Sequence, residues 1–215
     1  SFDPRANRLL IVGTRLGRAL LALSETDEAE KVLSEAVAVA RQAAGRGLLA
    51  PALSAHAAVL LKRRAFPQAE AAAREWASAA SEAGEMPSLV EAHTALGEVQ
   101  RMSGDREAAV ASYTKAMAVA GKVASGPLLA RAALGRGQAA LALGRLEEAR
   151  EVLSRAAEAL RQDDPAGLLP EVLISTGEAR LLSGEAEEAA ILVRRLASAE
   201  PQLERPVRAR YHRLA

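Results

Sequence analysis

The chain has 215 residues, of which 50% are hydrophobic, 26% charged and only 2% aromatic, with a formal net charge of +1. Alanine and leucine dominate the apolar half, which suits close-packed helices rather than a β-sandwich. A balance so near neutral excludes a global field that gathers DNA, RNA or an anionic membrane surface.

In chain order, apolar residues recur at helical spacing in pairs of segments. The first pair covers roughly 7–45. Leu9, Leu10, Val12, Leu16, Leu20 and Leu23 mark its first helix, and Ala29, Val32, Leu33, Ala36 and Val39 mark its second. Between them, Ser24-Glu25-Thr26-Asp27 is rich in N-cap residues, and Gly45 and Gly47 stop the second helix. The second pair spans about 48–84, where Phe66-Pro67 places proline at a first helical position. The third runs over 87–123. The fourth runs over 127–161, opening at the Ser125-Gly126-Pro127 break. Asp163-Asp164-Pro165 then makes a turn with a helix-starting signal before the fifth pair, 167–199, in whose first turn Pro170 lies. After Pro201, residues 202–215 read as the first helix of a truncated sixth pair or a cap.

These pairs are copies at a fixed interval. Counting forty residues either way from Ala109 gives Ala29, Ala69, Ala149 and Ala189. From Gly97 the same count gives Gly17, Ala57, Gly137 and Gly177, and the turn position gives Ser24, Arg64, Gly104, Gly144 and Gly184. Glycine inside a helix costs about 1 kcal/mol relative to alanine. Its recurrence there points to a close approach of paired helices, with Leu33, Tyr113, Leu153 and Val193 filling the adjacent space.

Over Leu96–Met117, the spacing of Leu96-Gly97, Gly104, Ala109, Tyr113 and Ala116 resembles a tetratricopeptide repeat. The resemblance extends from Asn7 to Ala199. It departs in period, forty residues against about 34, which is closer to HEAT or armadillo repeats, and in a displaced helix-ending proline. Long repeats of this kind are similar to those of kinesin light chains and of large bacterial signalling and transcription-regulatory proteins. The resemblance implies an all-α fold, an α-solenoid of about five helix-turn-helix repeats forming a right-handed superhelix, with an extra C-terminal helix. It implies one array over 1–215.

It also implies a concave groove lined by the first helix of each pair. Carried over position by position, that groove holds Arg18, Leu61, Lys62, Glu91, Thr94, Glu98, Arg101, Arg131, Leu134, Gln138, Leu141, Glu171, Ile174, Glu178 and Leu181. Leu21, Leu61, Leu141 and Leu181 form a leucine row broken by Arg101. The row either packs helix on helix or offers an apolar seat for a partner helix or peptide. The charges of the groove either pair across adjacent helices or set partner specificity. Groove positions Arg18, Ala58, Glu98, Gln138 and Glu178 lack the asparagine and lysine with which such repeats clamp chaperone C-termini, so that role is not expected.

No catalytic pattern is present, and none of a nucleophile, P-loop or dinucleotide motif occurs. His56, His93 and His212 stand apart without a second ligand at i+3 or i+4, so no metal and no cofactor are expected. His93 and Trp76 read as core residues, with an exposed anchor as the alternative for Trp76. Glu147-Glu148 and Glu187-Glu188 favour helix N-termini. The basic tail of Arg205, Arg208, Arg210 and Arg213 reads as a solvated face before a nucleic-acid contact. There is no cysteine, as in a reducing cytosol. No apolar run reaches the ~18–20 residues that cross a bilayer. The start at Ser1 without methionine implies a piece excised from a larger protein.

The expected function is therefore a non-enzymatic, cytoplasmic scaffold that binds a protein or peptide in its groove, as part of a larger bacterial signalling or regulatory protein. It is expected to bind neither nucleic acid nor membrane. A ligand-sensing or autoinhibitory domain of a kinase or ATP-dependent transcription activator is the alternative. Self-association through exposed terminal helices is a third.

Overall fold

A computed structural model describes residues 4–42, 48–161, 163–197, 203 and 205–215, with side chains left out at 4–7 and 9. The side chains of Asn7 and Leu9, and Gly45, Gly47 and Pro201, lie outside the described residues. Among the described residues there are helices and no strands. The helices are α1 Pro4–Ala22, α2 Thr26–Gln42, α3 Leu49–Lys62, α4 Phe66–Glu82, α5 Met86–Ser103, α6 Arg106–Val123, α7 Gly126–Ala142, α8 Leu146–Ala159, α9 Leu169–Leu182, α10 Ala186–Leu196 and α11 Arg205–Leu214. Helices α1 with α2, α3 with α4, α7 with α8 and α9 with α10 form the first, second, fourth and fifth pairs read from the sequence, α5 and α6 fall in the third segment, and α11 is the extra C-terminal helix. The chain divides into two compact units, Ser1–Asp105 and Arg106–Ala215.

In the first unit α1 to α5 pack in sequence order, and in the second α6 to α11 do so. The periodic alanines account for this. Ala29, Ala69, Ala109 and Ala149 have no exposed surface, and Ala189 almost none. In the first and fourth pairs, where the first helix carries glycine, the second helix presses a leucine into the gap. A Cβ on Gly17 would lie 2.4 Å from Leu33 Cγ, and one on Gly137 would lie 2.6 Å from Leu153 Cγ. Helix pairs therefore nest more closely than any side chain at those positions would permit.

Two of the expected space-fillers behave differently. Tyr113 reaches forward onto α7, where a Cβ on Gly135 would sit 2.4 Å from its ring. Val193 does not meet Gly177; Leu214 of α11 and Leu192 do, at 3.2 and 4.0 Å from the site of a Cβ. The fifth pair is thus closed in part from beyond itself, by α11. Trp76 is buried in the core of the first unit and its Nε1 donates to Ser88 Oγ at 2.8 Å.

The turn position is left-handed in every copy, with φ of 66° at Ser24, 61° at Arg64, 98° at Gly104, 73° at Gly144 and 82° at Gly184. Ser24 is therefore not an N-cap: it ends α1. Its N–H donates to Leu21 O at 3.1 Å, and that of Glu25 to Leu20 O at 2.9 Å. The same double closure recurs at Arg64-Ala65, Gly144-Arg145 and Gly184-Glu185, the Schellman arrangement that satisfies the last carbonyls of a helix. At the start of α9, the Asp164 carboxylate accepts from the backbone N–H groups of Leu168 and Leu169 at 2.7 and 2.9 Å.

Candidate functional site

In the first unit, the predicted residues lie on α1, α3 and α5. Lys62, at the end of α3, donates from Nζ to Leu21 O at 3.2 Å and to Ser24 Oγ at 3.1 Å. It thereby places a cation on the carbonyl end of α1, where the helix dipole favours it. Arg18 donates back from Nη2 to Pro51 O at 3.4 Å. Leu21 and Leu61 lie partly buried against the core, so at this end the leucine row packs helix on helix. On α5, Arg101 grips the Glu98 carboxylate at 2.6 and 3.0 Å. Thr94 Oγ1 donates to Val90 O at 2.8 Å, and Glu91 is exposed.

In the second unit, the first helices α7, α9 and α11 lie side by side, α9 touching both others. Arg210 of α11 connects them. It donates from Nε and Nη2 to the two carboxylate oxygens of Glu178 at 2.9 and 2.5 Å, from Nη1 to Glu171 Oε1 at 3.3 Å, and from Nη2 to Ser175 Oγ at 2.8 Å. Glu171 Oε1 also accepts from Gln138 Nε2 at 2.9 Å. Three predicted positions from two repeats, Gln138, Glu171 and Glu178, are thus brought together. The connecting arginine belongs to the tail that the sequence presents as a solvated face. Its only signal was register: it stands forty residues after Pro170, on the same helical position.

Beside this network an open depression of about 230 Å³ is lined by Leu141, Glu178, Leu181, Leu182, Arg213 and Leu214. At this end the leucine row is uncovered, with Leu181 46% and Leu182 62% exposed. Arg131 and Arg213 are exposed and hold no acceptor among the described residues. Two predicted groove residues are placed elsewhere. Leu134 is 5% exposed and Ile174 is fully buried; each fills its helix's contact with its neighbours and presents nothing to a partner.

A second polar cluster went unread in the sequence because its members come from three helices. His56 of α3 shares a 3.2 Å hydrogen bond through Nε2 with Ser34 Oγ, while its Nδ1 is buried without a partner among the described residues. Arg41 donates to both oxygens of Glu75 at 2.8 and 2.6 Å. Burial pushes the imidazole below its ordinary range, with Glu30 and Glu75 opposing and Arg41 reinforcing. The hydrogen bonds from Arg41 hold the Glu75 carboxyl low, and those from Arg74 and Gln100 do the same for Glu70. His93 is half-buried on α5, and His212 is exposed against the ring of Tyr211. Among the described residues there is no group of three or more His, Asp or Glu side chains placed to hold a metal. No described helix is long and apolar enough to cross a membrane.

Residues 88–162 match the tetratricopeptide repeat family model. No curated protein is significantly similar in sequence. Among solved structures, the chain is similar to BtubC (BKLC) from P. vanneervenii, with a TM-score of 0.73 and 16% identity over 93% of this chain and 91% of that one. It is similar to a putative kinesin light chain with nearly identical TPR-like repeats from Podospora anserina, with a TM-score of 0.76 and 16% identity over 94% of this chain and 100% of that one. It also resembles a Rap protein complexed with Competence and Sporulation Factor, with a TM-score of 0.74 and 13% identity over 95% of this chain and 55% of that one. At such identities these likenesses establish the fold alone.

Proposed function

From the match of residues 88–162 to the tetratricopeptide repeat family and the helix-pair fold, we propose that the chain is a non-catalytic repeat scaffold binding a protein or peptide segment on the face of its first helices. The observation that carries this reading is the convergence in the second unit. Positions from separate repeats, Gln138, Glu171 and Glu178, meet around Arg210 next to an uncovered apolar depression. A rigid, internally paired polar frame beside exposed leucines is the anatomy of a recognition surface, an apolar centre with a polar rim. A Rap protein of similar fold has been crystallised with Competence and Sporulation Factor, which supports a binding role without naming a partner for this chain. On this reading the scaffold serves bacterial signalling or transcription regulation in the cytoplasm.

Affinity capture by the wild type and by a variant carrying Leu141→Glu with Leu181→Glu, both lining the depression, tests the surface. The variant is expected to lose partners that the wild type retains, with an unchanged helical circular dichroism spectrum. Equal capture by both would remove this face as the site.

A further inference from the structure

Resting on the reading above, we propose that the face formed by α7, α9 and α11 takes an acidic segment of a partner protein. The segment seats one leucine-sized side chain among Leu141, Leu181, Leu182 and Leu214 and sets carboxylates against Arg213 and Arg131. The charge balance of the face carries this choice. Its two carboxylates are already engaged: Glu178 accepts two hydrogen bonds from Arg210, and Glu171 accepts from both Arg210 and Gln138. Arg131 and Arg213 hold no acceptor among the described residues. Three guanidiniums therefore face two carboxylates, and both uncommitted charges are positive.

An incoming basic segment would meet Arg131 and Arg213 with no free carboxylate to receive it, and like charges brought together across an interface are costly. An acidic one finds two open donors of the fork geometry that carboxylates favour. The apolar seat adds a positional requirement. Arg213 is part of the depression's lining, whereas Arg131 precedes Leu141 by ten residues, or about 15 Å of helix. An extended segment crosses that distance in about five residues, so the preferred ligand has its leucine and its second acidic group that far apart.

Fluorescence anisotropy with the full chain and three synthetic peptides tests this. The first carries glutamates and one leucine at that spacing, the second replaces glutamate by lysine, and the third replaces the leucine by serine. The acidic leucine peptide is expected to bind at least about tenfold more tightly than either relative. Combined Arg131→Glu and Arg213→Glu should shift preference toward the lysine peptide, and Leu181→Ser should weaken binding while leaving the charge preference intact. Both arginines are exposed and the variants are expected to keep the wild-type melting curve, so lost binding cannot be read as lost fold. Failure of the wild type to bind the acidic leucine peptide overturns the proposal, as does equal binding of the serine peptide. Lysine-peptide binding as tight as that of the acidic peptide, and weakened by Leu181→Ser, would also overturn it while leaving the face as a recognition surface. Binding that ignores every one of these substitutions would remove both.

Discussion

At Gly137 two local effects oppose each other. Alanine would raise helix propensity by about 1 kcal/mol, but its Cβ would stand 2.6 Å from Leu153 Cγ and 2.7 Å from Cδ2. Both atoms are held, because Leu153 is fully buried. Overpacking of this kind costs about 1–3 kcal/mol, so the steric effect wins. Gly137→Ala is expected to lower stability in a urea titration despite the better helix former. In a Leu153→Ala background, where the colliding atoms are gone, the same substitution should become neutral or stabilising. Additive losses in that double-mutant cycle would show that the two residues do not meet. The equivalent contact of Gly17 with Leu33 in the first unit predicts the same sign there.

At the scale of the helix pair, the left-handed residue after each first helix fixes where the chain reverses. Gly104, Gly144 and Gly184 adopt that conformation without a Cβ penalty, whereas Ser24 and Arg64 are held in it at φ of 66° and 61°. The penalty for an L-residue is about 1–2 kcal/mol, and relieving it with glycine is partly offset by the greater backbone entropy that glycine would bring to the unfolded chain. Ser24→Gly is therefore expected to stabilise the first unit by roughly 1 kcal/mol, read as a rise in melting temperature. It also removes the hydroxyl that accepts from Lys62, an exposed contact of small worth. An unchanged or lowered melting temperature would mean that the hydroxyl, not the backbone, governs the turn. Arg64 spends its side chain differently, lying 5.5 Å over the ring of Phe66.

For the molecule as a whole, acid is expected to act first on the unit Ser1–Asp105. His56 binds its proton less readily folded than unfolded, so its contribution is complete above its ordinary value of about 6.5 and is lost as the pH falls toward the lowered native value. Glu75 and Glu70, both held low, contribute above the ordinary carboxylate value of about 4.3 and lose that contribution as the pH falls further. All three act in the same direction. The single tryptophan, Trp76, is buried in this unit, so its fluorescence reports the unit's urea midpoint against pH. A decline beginning just below neutrality and a second one in the carboxylate range are expected, and His56→Gln should abolish the first alone. A wild-type midpoint flat from neutrality down to the carboxylate range would contradict the burial of this imidazole.

The forty-residue recurrence of alanine and glycine was enough to place ten helices, their reversals and the repeat type whose family model matches residues 88–162. Those features depend on local spacing and on side-chain size, and both are written along the chain. The repeat's seed at Leu96–Met117 lies inside the family match over 88–162. The candidate site was legible only as a list of positions. Ile174 and Leu134 sit at the expected register and are nonetheless buried, and the arginine that joins Glu171 to Glu178 comes from a helix with no repeat partner in the sequence. Which of two carboxylates an arginine grips, and whether a leucine is covered or left open, depends on how far neighbouring helices stand apart and rotate. That is set by the packing of side chains remote in sequence, so only the tertiary structure decided it.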